Sequence, residues 1–179
     1  MVCLTYDGPA MDDGAADSLT LAKWRRLSGG AVGRWLFGRI VSLRAPYFAT
    51  IAPRFLELRP GLCRVSMRKR RRVENHLGTV HALAMGNLVE LAAGMVTEVT
   101  IPAAMRWIPR GMTIEYLKKA LTGVTATARL DKPDWGGAEN TGVLVSVHDA
   151  GGVEVVRAVV TMYVSPRAGA RAQASSAMP

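Results

Sequence analysis

The residues best suited to chemistry lie in one stretch, Asn75-His76-Leu77-Gly78-Thr79-Val80-His81-Ala82-Leu83-Ala84-Met85-Gly86-Asn87-Leu88-Val89-Glu90, which concentrates polar groups at the entrance and middle of an otherwise apolar helix. Val80, Leu83, Ala84, Asn87, Leu88, Leu91 and Met95 recur at helical spacing, so the helix is expected to be buried nearly all round. Buried polar groups need partners or a purpose. Glu90, between Val89 and Leu91, is the leading candidate: burial disfavours the charged form of a carboxylate and suits it to base or nucleophile work, the alternative being a structural pair with an arginine. Gly78-Thr79 reads as the helix start with Thr79 as N-cap, which aims the free amides of His81 and Ala82 at whatever precedes the helix. Such amides hold an oxyanion.

Helix geometry limits how these groups combine. His81 and Glu90 are nine residues apart, so at ~100° and ~1.5 Å per residue they sit on opposite sides of the helix, ~13 Å from one another. If both work in one reaction, a second copy of the helix must complete the site, and a dimer is expected. His76 invites a metal reading, but two histidines five apart around a turn with no third ligand do not make a zinc site, and no metal is expected. His76 reads as a loop or interface residue. His148, beside Asp149 at a turn, receives no role.

The elements that position this helix follow from the periodicity. Leu19 to Leu27 and Val32 to Leu43 read as helices broken at Ser28-Gly29-Gly30, the second placing Val32, Trp35, Leu36, Ile40 and Leu43 on one stripe. A membrane-surface helix carries such a mixture of Trp, Leu and Arg, and so does a terminal helix packed on its own domain; we take it as the latter, a lid or buttress. From Arg54 the pattern becomes β: Phe55 to Leu58, a Pro60-Gly61 turn, then Leu62 to Arg70. After the long helix come strands near Met112–Lys119, Val124–Leu130, Gly142–Val147 and Val153–Val164, the last two as a long hairpin. Residues 1–17 and 166–179 read as disordered, leaving residues 18–165 as one domain. The fold class is α+β: a curved antiparallel sheet around a long central helix, with an N-terminal helical extension.

Composition narrows the setting. One domain suits 179 residues, and 49% hydrophobic content is high enough to suggest that a partner subunit covers apolar surface. Two cysteines, Cys3 and Cys63, without metal-ligand neighbours fit a reducing, cytoplasmic setting. The Asp-rich start lacks the pattern of a signal peptide, and no apolar run is expected to span a membrane. A formal charge of +9 and a pI near 10.3 attract polyanions. The run Arg68-Lys69-Arg70-Arg71-Arg72 reads as a strand end whose residues alternate between two faces, solvated or paired, with coenzyme A phosphates as the next reading and nucleic acid disfavoured for want of interleaved aromatics.

The motif resembles the hotdog-fold thioesterase superfamily, of the phenylacetic-acid-type acyl-CoA thioesterase kind, in which N-x-x-G-[TS]-x-H-G-G opens the central helix and an acid follows nine positions after the histidine. Asn75, Gly78, Thr79, His81 and Glu90 match in type and spacing. Arg44-Ala45-Pro46-Tyr47-Phe48 and Ile108-Pro109-Arg110-Gly111-Met112 extend the likeness to a bacterial hotdog branch of undefined function, over residues 19–165. The resemblance implies an acyl-CoA or other acyl-thioester hydrolase of fatty acid metabolism, acting as a homodimer or dimer of dimers. Glu90 would activate water or attack the thioester, Asn75 would position water or substrate, and His81 would orient the entrance or bond the thioester. Gly78, Thr79, Ala82 and Leu83 would line the substrate, with no cofactor beyond the coenzyme A of the substrate itself. Ala82-Leu83 replaces the family's glycine pair, so the bulk of Leu83 narrows the entrance. The alternatives are a non-catalytic acyl-CoA or fatty-acyl binding protein, and a membrane-surface or polyanion-associated protein.

Overall fold

The computed structural model describes residues 18–132 and 134–167; the terminal segments expected to be disordered, apart from Pro166 and Arg167, lie outside the described residues. Helices α1 (Leu19–Leu27) and α2 (Ala31–Arg44) come first. Ser18 caps α1, its Oγ accepting the Leu21 N–H at 3.2 Å. A 3-10 turn at Pro46–Thr50 leads into β1 (Arg54–Arg59) and β2 (Leu62–Met67). A second 3-10 turn, Arg71–Val73, precedes α3 (Ala82–Thr100), and β3 (Met105–Tyr116), β4 (Val124–Arg129), β5 (Glu139–Asp149) and β6 (Glu154–Pro166) follow.

The six strands form one antiparallel sheet in the order β1-β2-β4-β5-β6-β3, and α3 lies across its inner face. This is the hotdog arrangement expected from the sequence. Alternation supplies the inner face: Cys63, Val65 and Met67 on β2, Ala126 and Ala128 on β4, and Val143, Val145 and Val147 on β5 are all buried. Against them α3 sets Leu88, Val89, Ala92, Ala93 and Val96, each essentially without exposed surface. Burying one such Leu or Val stabilises the fold by about 1.5–3 kcal/mol. With 19 residues and few charges, α3 is long and apolar enough to cross a membrane, contrary to the expectation that no segment would be, but most of it is buried within the fold, as in a core helix.

Three boundaries and the facing of one helix differ from those expected, each for a structural reason. Helix α3 starts at Ala82 with His81 as N-cap, two residues later than a cap at Thr79. Val80 bridges Glu74, its N–H donates to the Ala120 carbonyl at 2.9 Å, and the His81 N–H donates to that of Val73 at 2.8 Å, so this stretch is held extended. Strand β2 stops at Met67 because its partners stop there: Met67 pairs with Val124, the first residue of β4, and Ser66 with Arg54, the first of β1. Strand β3 begins seven residues before the expected Met112 and runs through Pro109, which an edge strand tolerates, with a register shift between Pro109 and Gly111.

The fourth difference is the facing of α2. Its buried residues are Phe37, Gly38 and Ser42, whereas Val32, Trp35, Leu36 and Leu43 of the expected stripe are exposed. Aromatic packing decides the matter: Phe37 meets Trp24 of α1 and Phe55 of β1 edge-on, with ring centroids 5.1 and 5.0 Å away. That cluster ties both N-terminal helices to the β1 edge and turns the stripe outward.

Cys63 is a free, fully buried thiol on the inner face. Burial, with a smaller contribution from the Glu57 charge, pushes its pKa up far beyond the ordinary thiol range. Because the folded value is raised, this stability term is whole below the unfolded thiol pKa of about 8.5 and is lost progressively as pH rises above it. In a Cys3→Ser background, Cys63 should remain unlabelled by a thiol reagent at pH 8 until denaturant unfolds the chain. Prompt stoichiometric labelling of the native protein would contradict its burial.

Candidate functional site

The entrance to α3 is built by a turn that Asn75 holds shut. Its Oδ1 accepts the N–H groups of Leu77 (3.0 Å) and Thr79 (3.1 Å), and its Nδ2 donates to Thr79 Oγ1 at 2.9 Å. Its own N–H donates to the Thr79 carbonyl at 2.9 Å. Gly78 takes φ +69°, a left-handed conformation that a side chain would strain, and stands exposed in this turn. The Asn75 side chain is thus spent on the loop. With three bonds at about 1 kcal/mol apiece, Asn75→Ala should lower stability by about 2–3 kcal/mol in urea unfolding, and Asn75→Asp, which keeps both acceptor bonds, by less. A loss under about 1 kcal/mol from Asn75→Ala would mean that the turn does not depend on it.

The amides at the entrance differ from the expected pair. His81 N–H is used by Val73, and Leu83 N–H is capped by His81 Nδ1 at 3.1 Å. The Ala84 and Met85 N–H groups both turn back to the His81 carbonyl. This leaves the Ala82 N–H, the first of α3, without a hydrogen-bond partner among the described residues. Since Nδ1 of His81 accepts, the neutral ring carries its hydrogen on Nε2, which is left as a donor.

Three cavities divide the sequence-derived residues. Asn75, Thr79 and Ala82 line one of about 310 Å³ with Met85 and Tyr116. His81 and Leu83 line another of about 200 Å³ with Tyr47, Thr50 and Asn87. Glu90 lines a third, of about 370 Å³, walled by Val41, Phe48, Leu91, Met95, Trp107 and Pro109, with Arg44 and Glu98 as its other charged members. His81 and Glu90 are therefore not brought together within one chain. Glu90 is exposed on the single chain, which corrects the expectation of a carboxylate sealed within the helix. No ion pair among the described residues engages it. Leu83 is 69% exposed and stands at the rim of its cavity, where it was expected to narrow the entrance.

Further residues, which the sequence did not single out, shape the site around Glu90. Gly86, Glu90, Gly94 and Glu98 recur every fourth residue, a row on the face of α3 that meets β3. At Gly94 a Cβ would lie 2.8 Å from the Trp107 ring, so this glycine admits the indole that closes the Glu90 cavity. Glu98 fixes that indole, accepting Trp107 Nε1–H at 2.8 Å and Thr20 Oγ1–H of α1 at 3.3 Å. At the other end of the row, Tyr116 packs over Gly86 and donates its hydroxyl to the Ala82 carbonyl at 3.3 Å; burial raises its phenol pKa. Asn87 is buried, donates Nδ2–H to Thr50 Oγ1 at 3.1 Å, and keeps an unpaired Oδ1 beside His81's cavity. The four-residue spacing was legible, but the cover that Tyr116 and Trp107 give the two glycines and the spare acceptor were not.

Residues 33–164 match the protein family described as a domain of unknown function, DUF4442. The chain belongs to that family. A comparison with curated proteins finds no match. Among solved structures, the crystal structure of a structural-genomics target, APC5556, is 46% identical, with a TM-score of 0.73 over 82% of this chain and 97% of that one. A thioesterase from Haemophilus influenzae, HI1161, is similar at 12% identity and a TM-score of 0.60, covering 67% of this chain and 82% of its own. A thioesterase from Staphylococcus aureus, SAV0944, is similar at 19% identity and a TM-score of 0.61, covering 68% and 99%. At such identities the last two bear on the fold, and they share the hotdog arrangement of this DUF4442 chain.

Proposed function

We propose that this protein hydrolyses acyl thioesters of the acyl-CoA type, at a site completed by two copies of the chain joined along β3. The observation that carries this reading is Glu90, a carboxylate at the mouth of a largely apolar cavity, with no ion-pair partner among the described residues and beside a sheet edge that none of their strands covers. An apolar cavity suits an acyl chain, and a carboxylate at its mouth suits the activation of water. The name thioesterase borne by similar structures from two bacteria supports the same chemistry. The edge strand β3 is twelve residues long and exposes Ile108, Met112 and Tyr116, a surface that a second β3 would cover.

In the reaction, Glu90 takes a proton from water as its oxygen attacks the thioester carbonyl carbon. The oxyanion that forms is held by the Ala82 N–H of the other copy, at the N-terminus of its α3. Collapse breaks the C–S bond, and the thiolate recovers the proton from Glu90, giving a carboxylic acid and a free thiol. His81 Nε2–H bonds the thioester, Leu83 flanks it, and Asn75, Gly78 and Thr79 hold the turn that sets the entrance. No cofactor takes part beyond coenzyme A in the substrate. Cys63, a free thiol, fits a reducing cytoplasm.

The test is release of free thiol from a panel of acyl-CoA esters of increasing chain length. We expect turnover that depends on chain length, because the Glu90 cavity has a finite depth. Equal, background-level release by the native protein and by Glu90→Ala would remove the proposal. Leu83 and Ala82 in place of glycines favour a second reading, an acyl-CoA binding protein, which calorimetry would reveal as tight binding without turnover.

A further inference from the structure

The outward face of α2 and the cavity beside it take no part in the chemistry above. Val32 (78% exposed), Trp35 (54%), Leu36 (41%) and Leu43 (74%) stand on that face, with Arg39 among them. Alongside opens a cavity of about 470 Å³ lined by Trp35, Arg39, Arg54, Arg68, Lys69 and Arg70 and by no carboxylate. The basic run does not alternate between two faces as a strand would: beyond Met67 it has left the sheet, and Arg68, Lys69 and Arg70 turn into one cavity. Lys69 meets Glu74 at 3.7 Å and Arg70 donates to the Thr50 carbonyl at 3.0 Å. Arg39, Arg54 and Arg68 have no anionic partner among the described residues.

We infer that this face docks on an anionic phospholipid bilayer, with headgroup phosphates entering the arginine-lined cavity and Val32, Trp35, Leu36 and Leu43 entering the boundary of the acyl chains. An apolar helix face with Trp and Leu, flanked by arginines, is the composition of a helix lying in a membrane interface. The exposed face places it there without any change in the fold. Charge selects the occupant. A second copy meeting this face across a two-fold axis would set cation against cation, whereas a phosphate surface neutralises them. A soluble phosphate compound would use the cavity and leave the apolar face in water. Helix α2 packs on β1, at the opposite end of the strand order from β3. Although α2 lends Val41 and Arg44 to the Glu90 cavity, none of the residues that would meet the bilayer lines it, so docking and hydrolysis can each fail alone.

The full chain should co-sediment with vesicles of phosphatidylglycerol and phosphatidylcholine at least tenfold more strongly than with phosphatidylcholine alone, and salt should weaken the association. Trp35→Ser/Leu36→Ser and, separately, Arg39→Glu/Arg54→Glu should each lower sedimentation about tenfold, while the melting temperature and gel-filtration mass stay those of the native chain. Four results would overturn the inference: no sedimentation, equal sedimentation with neutral vesicles, undiminished binding by either variant, or a fall in gel-filtration mass for Trp35→Ser/Leu36→Ser, which would mean that another copy covers this face.

Discussion

Glu90→Gln should lower kcat for acyl-CoA hydrolysis by about 10²–10⁴-fold, the range expected when a positioned general base is lost, while KM changes by less than about threefold because glutamine keeps the size and polarity of the side chain. The expectation rests on where the carboxylate sits: at the cavity mouth, exposed on the single chain, with no ion pair among the described residues. Removing its charge breaks no contact that holds the fold, so the melting temperature should stay within a degree or two. Glu98→Gln gives the contrast within the same cavity. Glu98 accepts from Trp107 and Thr20, and an amide can preserve one of those bonds while offering an N–H against the other. That change should therefore alter stability and KM more than kcat. Steady-state kinetics with one acyl-CoA ester read both variants. If Glu90→Gln raises KM and leaves kcat intact, the carboxylate binds substrate and another group activates water.

Much of this arrangement was legible because it is written in periodicity. The spacing from Leu83 to Met95 marks the core helix, though Val80 falls just outside it, the alternation through Cys63, Val65 and Met67 marks a strand with one buried face, and the nine-residue interval separates His81 from Glu90. The misreadings came where a tertiary contact outranked a local signal. Thr79 is a good N-cap by residue type, but bridges from Val80 and His81 to neighbouring segments hold the chain extended until Ala82. The α2 stripe has a helix's apolar spacing, yet Phe37 finds Trp24 and Phe55 on the opposite side. Pro109 and Gly111 look like breakers, and only the edge position of β3 makes them tolerable. Glu90 was expected to be buried because its sequence neighbours Val89 and Leu91 are; Gly86 and Gly94, one turn to either side, are covered by Tyr116 and Trp107 of β3, and Glu90 between them is exposed.

Mixing two inactive variants should restore activity. If each site takes Glu90 from one copy and the α3 entrance from the other, then Glu90→Gln and His81→Asn homodimers each carry two damaged sites. Asparagine at 81 keeps an acceptor for the Leu83 N–H while removing the imidazole, so α3 remains capped. A mixed dimer pairs its defects unequally: one site holds both substitutions and the other holds neither. Random exchange makes half of the dimers mixed, and each of these has one native site of two, so activity should return to about a quarter of the native level under C2 pairing. His81 and Glu90 line different cavities of one chain, so if both act in one reaction they must meet across two copies. A mixture that stays inactive after the copies have been unfolded and refolded together would mean that the two residues do not cooperate across chains. The proposed joining along β3 can be examined in the same preparation: Met112→Lys, on the exposed edge, should shift gel-filtration mass toward a single chain and lower hydrolysis with it.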